Sequence, residues 1–366
     1  MVLREFVGFP AGPVGPAGPA EPVGPDGEQP ASDAQVSRWA REHWSRLADW
    51  PMERVLAAKQ DTGTTVSVVL PALNEQDTVG DIVSAIRSEL VVAAPLVDEV
   101  VVVDSGSTDR TAEIAARAGA LVAHRDRILP RIPARPGKGE VLWRSLLATR
   151  GDVLCFVDAD LREFDPALVC GVLGPLLTDP VVQLVKAAYD RPLIDGGIVL
   201  PAGGGRVTEL VARPLLNLHW PQLAGIVQPL AGEYAARRSL LERLPFACGY
   251  GVEFGLLVDT FDRAGLNALA QVDVGSRSHR HQDDRALGRM SSEIWQAALL
   301  RLRRSGRVRG AEPVNTTVTQ FHRQHDGFRM STHETVSVER QPMETVLEYR
   351  ERGRCAAASS ERISIR

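Results

Sequence analysis

Strand-like and helix-like segments alternate between residues 64 and 188, and this alternation constrains the fold more than any other feature of the chain. Apolar, largely β-branched runs that favour strands occur at 64–70, 98–104, 120–123, 153–157 and 181–188. Helical patterns separate them at 79–90, 108–118 and 139–150, with short links between the elements. This order predicts an α/β fold with a mostly parallel sheet, right-handed crossovers and flanking helices.

Composition narrows the class of protein further. The chain has 366 residues, 44 % of them apolar, and a formal net charge of −4, which argues against a protein that binds nucleic acid or anionic membranes through a basic surface. No apolar run approaches the roughly 20 residues of a membrane span, and the N-terminus lacks a signal-peptide pattern. Four scattered cysteines without a C-x-x-C pair favour reduced, buried thiols. We therefore expect a cytoplasmic protein.

Composition also divides the chain into segments. Residues 1–32 are rich in Pro and Gly, with a three-residue period too short and interrupted for collagen, and we expect a disordered tail. A helix is expected near 33–58, with Trp39, Trp44 and Trp50 among its apolar residues. We expect one part of the fold over 33–200, a smaller part over 201–335, and a partly disordered tail over 336–366.

Polar loop residues follow several of the predicted strands. Pro71–Glu75 follow the first strand, Asp104–Asp109 the second, and Asp158–Asp160 the fourth, while Arg135–Glu140 precede a helix. Because the carboxyl ends of parallel strands meet at one edge of a sheet, we expect these segments to form one ligand site.

Two carboxylates at the end of the fourth strand point to a cation. Asp158 and Asp160 would repel each other without a counter-charge, and alternate residues of an extended stretch face the same side. A hard divalent cation with oxygen ligands would remove this repulsion.

Two common nucleotide-binding motifs are absent, because residues 74–77 lack the glycines of G-x-G-x-x-G and Gly137-Lys138-Gly139 does not fit a P-loop.

The motifs together resemble one enzyme family. The stretches VVLPALNE, VVVVDSGSTDRT, RPGKGEVLWRSL, FVDADL and GGGRVTELVARPLLN are similar to those of the actinobacterial glucosyl-3-phosphoglycerate synthases, which are retaining GT-A glycosyltransferases. The similarity runs from about residue 35 to 330. It implies a GT-A (Rossmann-like), mostly parallel sheet with a smaller C-terminal acceptor-binding region. It also implies a divalent metal (Mg²⁺ or Mn²⁺), UDP-glucose as donor, 3-phosphoglycerate as acceptor, and a homodimer.

The resemblance also implies roles for individual residues. Asp160 and His279 would bind the metal, and Glu253 would contact donor-sugar hydroxyls near the reacting carbon without being a nucleophile. Catalytic importance would fall on Glu253, Asp160 and Arg206. The residues implied to hold the nucleotide sugar are Pro71, Ala72, Leu73, Asn74, Glu75, Ser105, Lys138, Asp158, Ala159, Tyr250 and Glu253. Those implied to hold 3-phosphoglycerate are Gly205, Arg206, Val207, Thr208 and His281, the last at a position where relatives carry Asn.

Three alternatives share much of this evidence. The same fold with a GDP-mannose donor would make mannosyl-3-phosphoglycerate. A GT-A enzyme could use a different acceptor, such as a lipid phosphate, although no membrane anchor is evident. A catalytically silent nucleotide-sugar sensor would keep the binding residues without turnover.

Overall fold

The computed structural model describes residues 33–190, 193–195, 198–200, 205–276, 283–309, 314–325, 327–335 and 338–352. The predicted N-terminal tail, the segment that carries His279 and His281, and about half of the predicted C-terminal tail lie outside the described residues.

An eight-stranded sheet forms the centre of the described chain, in the order β1-β11-β6-β9-β5-β2-β3-β4. Within it only β9 runs antiparallel to its neighbours, so the sheet is mostly parallel, as predicted. Three two-stranded sheets, β7–β8, β10–β14 and β12–β13, complete the described strands. The strands are β1 (Trp44–Arg46), β2 (Val66–Ala72), β3 (Glu99–Asp104), β4 (Leu121–His124), β5 (Val153–Phe156), β6 (Leu184–Asp190), β7 (Leu193–Asp195), β8 (Ile198–Leu200), β9 (Tyr234–Arg237), β10 (Phe246–Ala247), β11 (Leu269–Ser276), β12 (Thr317–Gln324), β13 (Gly327–Glu334) and β14 (Glu339–Arg340).

Helices cover both faces of the sheet, and its central strands are therefore buried on both sides. In β2, Val68 packs into the hydrophobic cluster on one face and Val69 into the cluster on the other. This explains why these strands read as unbroken apolar runs. The helices are α1 (Asp33–Glu42), α2 (Met52–Thr62), α3 (Val79–Ile86), α4 (Thr111–Arg117), α5 (Arg125–Ile128), α6 (Lys138–Ala148), α7 (Ala167–Thr178), α8 (Arg213–His219), α9 (Arg238–Leu241), α10 (Val252–Ala264) and α11 (Asp284–Arg304).

The N-terminal described segment corrects one expectation. A single helix over 33–58 is wrong, because the structure has α1, the edge strand β1 and α2 in its place. Trp44 lies in β1, opposite Gln271 of β11. Pro51 lacks an N–H and stands immediately before α2, a position where proline is compatible with a helix start but not with a helix interior.

Two further expectations can be compared with the described residues. Cys155, Cys170 and Cys248 are free and buried, as predicted. No helix in the described part of the chain is long and apolar enough to cross a bilayer. The central sheet takes β9 and β11 from beyond residue 200, and the boundary at that residue stays a prediction.

Candidate functional site

The carboxyl ends of the parallel strands meet at one edge of the sheet. β2, β3, β5, β6 and β11 all run in the same direction, and the antiparallel β9 begins at the edge where they end. The loops that the sequence singled out therefore lie along a common edge, where α/β sheets bind ligands.

Hydrogen bonds join the loop after β2 to the loop after β3. Asn74 has a left-handed backbone (φ 58°), and its side-chain oxygen accepts from the N–H of Thr108 at 2.9 Å. Its own N–H donates to the hydroxyl of Ser107 at 3.0 Å, and the N–H of Ser105 donates to the carbonyl of Ala72 at 2.9 Å. The structure thus brings Ser105 next to the 71–75 segment, as the convergence of strand ends predicted.

The other predicted residues of the first loop lie in the same surface. Pro71 is half-buried at the end of β2, whereas Leu73 is exposed. The N–H of Glu75 donates to the hydroxyl of Thr111 at 2.8 Å, which fixes the loop against the start of α4. Backbone groups near residues 71–75 are accordingly held rigid at the strand ends.

Lys138 joins two carboxylates from distant parts of the chain. Its Nζ lies 2.6 Å from Oδ1 of Asp158 and 2.9 Å from Oε1 of Glu253, although 115 positions separate Glu253 from Lys138. Glu253 is 6 % exposed at the start of α10, so this ion pair provides the partner that its burial requires. Burial disfavours the Lys138 ammonium, but the charges of Asp158 and Glu253 outweigh it and raise the lysine pKa well above its usual value. Lys138 is therefore a fixed positive charge at this edge.

The glycines beside Lys138 are required by close backbone packing rather than by loop flexibility. A Cβ on Gly139 would lie 1.7 Å from the carbonyl oxygen of Ala247, and one on Gly137 would lie 2.5 Å from that of Cys248. Both glycines therefore admit the backbone at 247–248, to which Glu140 also donates through its N–H at 3.0 Å. The close approach brings the start of α6 beside the segment that leads into α10.

Glu140, the last residue of the Gly-Lys-Gly-Glu motif, is structural. It is fully buried and pairs with Arg144 at 2.6 Å and Arg340 at 2.6 Å. Arg144 continues to the carbonyl oxygens of Leu129 and Ile132, at 3.1 and 2.6 Å. The motif therefore combines one charge at the site with one buried network behind it.

The Asp-Ala-Asp motif lies in the turn that follows β5. The carbonyl of Ala159 accepts a 2.6 Å hydrogen bond from the buried hydroxyl of Thr78, which joins this turn to the first loop. Asp158 and Asp160 are both half-buried, and their carboxylates are suitable ligands for a hard divalent cation. The described residues contain no cluster of three metal-ligating side chains; the second predicted ligand, His279, is outside them.

Arg206 and Thr208 begin a helical stretch that continues into α8. Gly205 has a positive φ of 77°, which favours glycine, and Val207 and Thr208 are buried. Arg206 forms an ion pair with Asp284, the first residue of α11. The segment predicted to bind the acceptor thus contacts the residue that follows shortly after His281.

The hydroxyl of Thr208 is a buried group that has no hydrogen-bond partner in the described part of the chain. An unsatisfied buried hydroxyl is unfavourable by about 1–3 kcal/mol unless a ligand or water accepts or donates a hydrogen bond to it.

Tyr250 lies just before α10 and is 43 % exposed, and its backbone N–H donates to Oε2 of Glu293 at 2.7 Å. The exposed ring leaves it accessible for a ligand contact.

Residues at the start of β9 and in β6 were missed by the sequence analysis. Lys186 and Glu233 are both buried, and the hydroxyl of Tyr189 donates to Oε2 of Glu233 at 2.8 Å. Lys186 lies in the mostly apolar run 181–188 and is one of only three lysines in the chain, and this was the signal that the sequence offered. The sequence does not predict that Lys186 contacts Ala231 and Tyr234. Those contacts depend on the order of the strands in the sheet.

Part of the chain matches a known family model, and most of it matches individual proteins. Residues 67–195 match the model of the family Glycosyl transferase family 2. The glucosyl-3-phosphoglycerate synthase of Mycolicibacterium smegmatis is 49 % identical over 310 residues, which cover 84 % of this chain and 98 % of that protein. That of Mycobacterium tuberculosis is 52 % identical over 261 residues, covering 70 % of this chain and 79 % of the relative.

Solved structures give two informative matches. Mannosyl-3-phosphoglycerate synthase from Rubrobacter xylanophilus has a TM-score of 0.79 at 42 % identity, covering 85 % of this chain and 98 % of that one. Glucosyl-3-phosphoglycerate synthase from M. tuberculosis, in complex with Mn²⁺, UDP-glucose and phosphoglyceric acid, has a TM-score of 0.70 at 47 % identity. That match covers 81 % of this chain and 95 % of the solved one.

Proposed function

The chain belongs to the glucosyl-3-phosphoglycerate synthases, GT-A glycosyltransferases, and from this we propose that it transfers glucose from UDP-glucose to the 2-hydroxyl of 3-phospho-D-glycerate in a metal-dependent, retaining reaction. The observation that carries the proposal is the Lys138–Asp158–Glu253 cluster at the carboxyl edge of the sheet. It assembles three implied donor-site residues from separate parts of the chain. The reaction forms a C1–O2 bond to the acceptor and breaks the bond between C1 and the diphosphate oxygen.

The donor site has the residues to hold a nucleotide diphosphate sugar. The 71–75 segment, with Ser105 beside it, offers rigid backbone groups for the base and ribose. Lys138 supplies a permanent positive charge for a nucleotide group, and Asp158 and Glu253 offer acceptors for ribose and sugar hydroxyls. Tyr250 adds an exposed ring next to α10.

Asp160 and His279 would hold the divalent cation. Asp160 provides a carboxylate in the turn after β5, and His279 follows the end of β11, which finishes at the same edge. When bound, Mg²⁺ or Mn²⁺ acts as a Lewis acid that stabilises the charge on the departing diphosphate. The proposed reaction uses no protein nucleophile, and Glu253, which pairs with Lys138, is assigned to the donor-sugar hydroxyls.

The acceptor would bind where the 205–208 segment meets α11. Arg206 can pair with phosphate or carboxylate oxygens once it leaves Asp284, and the Thr208 hydroxyl needs a partner. Gly205 and Val207 contribute the backbone, and His281 would approach from the segment before α11. In a front-face reaction the acceptor hydroxyl gives its proton to the leaving diphosphate oxygen, so the protein's part is to align the two substrates.

A GDP-mannose donor is the second candidate. It rests on the match to the mannosyl-3-phosphoglycerate synthase of R. xylanophilus, whose fold and sequence are close to this chain. Both activities would use the same acceptor residues, and they differ in the base and sugar contacts.

A screen of sugar nucleotides against 3-phosphoglycerate tests the proposal. Purified protein is assayed for release of nucleoside diphosphate with UDP-glucose and GDP-mannose, each with Mg²⁺ or Mn²⁺ and with a chelator. We expect turnover with UDP-glucose and 3-phosphoglycerate that the chelator abolishes and added metal restores. Faster turnover with GDP-mannose would favour the second candidate. Binding of UDP-glucose without any release of UDP would instead identify a sensor.

A homodimer and a cytoplasmic location belong to the same proposal. The β12–β13 hairpin presents Phe321, Phe328 and Met330, which are 59 %, 66 % and 62 % exposed. Contiguous exposed apolar side chains are typical of an interaction surface. A second copy of the chain is the proposed occupant of this surface, and the hairpin that carries it attaches to α11 through Gln320.

A further inference from the structure

Lys186 is a buried lysine to which the proposed reaction assigns no role. It lies in β6, is 2 % exposed, and stands opposite Tyr234 of β9 in the antiparallel register. Removing an ammonium from water is unfavourable unless other groups compensate. A lysine at this position therefore calls for an explanation that an apolar side chain would not.

The first contact of Lys186 leads to Asp158. Its Nζ donates a 2.6 Å hydrogen bond to the carbonyl of Ala231. The next residue is Gly232, where an added Cβ would lie only 2.1 Å from Oδ2 of Asp158. The backbone that Lys186 fixes is thus in direct contact with the carboxylate that Lys138 binds.

The second contact leads to the same strand end. The Nζ of Lys186 lies 4.7 Å from the centroid of the Tyr234 ring, a cation–π geometry. That ring packs on Phe156 with centroids 4.8 Å apart. Phe156 is the last residue of β5, two positions before Asp158. Both contacts therefore act on residues 156–158.

The charges around Lys186 fit this arrangement. Burial lowers the pKa of Lys186 to about 8, with Lys138 adding to the decrease, while Glu253, Glu233 and Asp158 raise it. The amine donates to Ala231 whether or not it carries the extra proton. Its structural contact consequently persists over the physiological pH range.

We propose that Lys186 is a positioning residue for the nucleotide-sugar site: it holds the Ala231–Tyr234 segment against the end of β5 and thereby fixes the Asp158 carboxylate. Lys138, whose ammonium contacts both Asp158 and Glu253, is positioned through that carboxylate. This inference rests on the proposed function, because it assigns Asp158 to the donor site.

Binding of UDP in the presence of Mn²⁺, measured by isothermal titration calorimetry, tests the inference on the full chain. Lys186→Met keeps the side-chain length and removes the donor and the charge. We expect it to weaken UDP binding about tenfold. That factor corresponds to the net free energy of about one buried hydrogen bond. Gln296→Met is the matched control, since Gln296 is a buried polar residue that bonds to Thr335 in a different part of the fold. It should bind UDP as the wild type does.

A double-mutant comparison separates positioning from a general structural role. In an Asp158→Asn background, Lys186→Met should weaken UDP binding by less than about threefold, because the group it positions is already changed. Unchanged UDP affinity of Lys186→Met with a lower melting temperature would overturn the inference. If that variant does not fold, Gly232→Ala tests the same contact, and wild-type UDP affinity there would be equally contrary. Failure of the wild type to bind either UDP or GDP would overturn both the proposed function and this inference.

Discussion

The ammonium of Lys138 contacts two carboxylates, and its neighbours in the Gly-Lys-Gly-Glu motif have other roles. Lys138 provides charge at the site, whereas Gly139 allows the backbone of Ala247 to approach. Glu140 faces away into a buried network with two arginines. Neighbouring residues of the motif thus have three different physical roles.

Asp160→Ala should abolish metal-dependent turnover while leaving the fold intact. The substitution removes one of the two proposed metal ligands from a half-buried turn, so stability should change little. Activity is measured against Mn²⁺ concentration, with circular dichroism to monitor folding. Asp61→Ala, an exposed carboxylate on α2, is the control and should be fully active. Near-normal activity of Asp160→Ala would contradict the ligand role.

Arg206→Ala should raise the KM for 3-phosphoglycerate by about tenfold to a hundredfold, because a charged hydrogen bond contributes about 1.5–3 kcal/mol. The KM for UDP-glucose should stay near that of the wild type. Arg117→Ala, which removes a surface arginine paired with Glu113, should alter neither value. Asp284→Asn removes the residue that Arg206 contacts in this structure and should affect the acceptor KM less than Arg206→Ala. A change in the donor KM alone would argue against the assignment.

At the level of elements, α6 is anchored by ion pairs as well as by its apolar face. Glu140 and Arg144, one turn apart on the helix, are both fully buried. Arg144 bonds to carbonyl oxygens in the 125–132 segment, and Arg340 brings β14 to the same carboxylate. The helix that carries Lys138 is thereby fixed to the 125–132 segment on one side and to β14 on the other.

Glu140→Gln should lower the free energy of unfolding at pH 7 by about 3 kcal/mol, because it leaves two buried or half-buried guanidinium groups without their charge partner. Burial raises the pKa of Glu140, but Arg340 and Arg144 more than offset it and bring the pKa below the usual 4.5. The stabilisation is therefore complete above pH 4.5 and is lost as the pH falls through the lower, folded-state value.

Urea unfolding between pH 3 and 7 measures this difference between wild type and Glu140→Gln. The gap between the two proteins should narrow below pH 4.5. Glu53→Gln, at an exposed position of α2, should follow the wild type at every pH. A gap that stayed constant down to pH 3 would exclude the proposed charge network as its cause.

At the scale of the whole molecule, the β12–β13 hairpin carries apolar side chains that the described part of the chain leaves uncovered. Phe321 stands opposite Met330 across its two strands, and both are mostly exposed. The hairpin is held to α11, whose first residue pairs with Arg206. Assembly through this surface would therefore stiffen the element next to the acceptor segment.

Replacing Phe321, Phe328 and Met330 together by Ser should convert the proposed dimer to a monomer in size-exclusion chromatography with light scattering. Loss of apolar contact area is the reason, at about 25 cal/mol per Å² of buried surface. Val92→Ser, at another strongly exposed apolar position, should leave the mass unchanged. A wild-type chain that elutes as a monomer would contradict the proposed dimer, and a triple variant that remains dimeric would exclude the hairpin as its interface.

Much of the edge of the sheet could be predicted because it depends on local pattern. The run Val100–Val103 is apolar on both faces and therefore indicated a buried parallel strand, and polar residues at its end indicated a ligand edge. The role of the glycines at 137 and 139 could not be predicted from the sequence, since the backbone they admit lies more than 100 positions away. The N-terminal helix was misjudged because a short edge strand has no pattern of its own.

The sequence by itself determined the α/β order of elements, the motifs at the strand ends and the family resemblance, because periodicity, turn residues and short motifs act over a few positions. Only the tertiary structure decided which charges meet. The packing of helices and strands brought Glu253 to Lys138, Lys186 to the carbonyl of Ala231, and Arg206 to Asp284. Electrostatic and hydrogen-bonding energies depend on distances of a few ångströms, and those distances are set by how the elements pack.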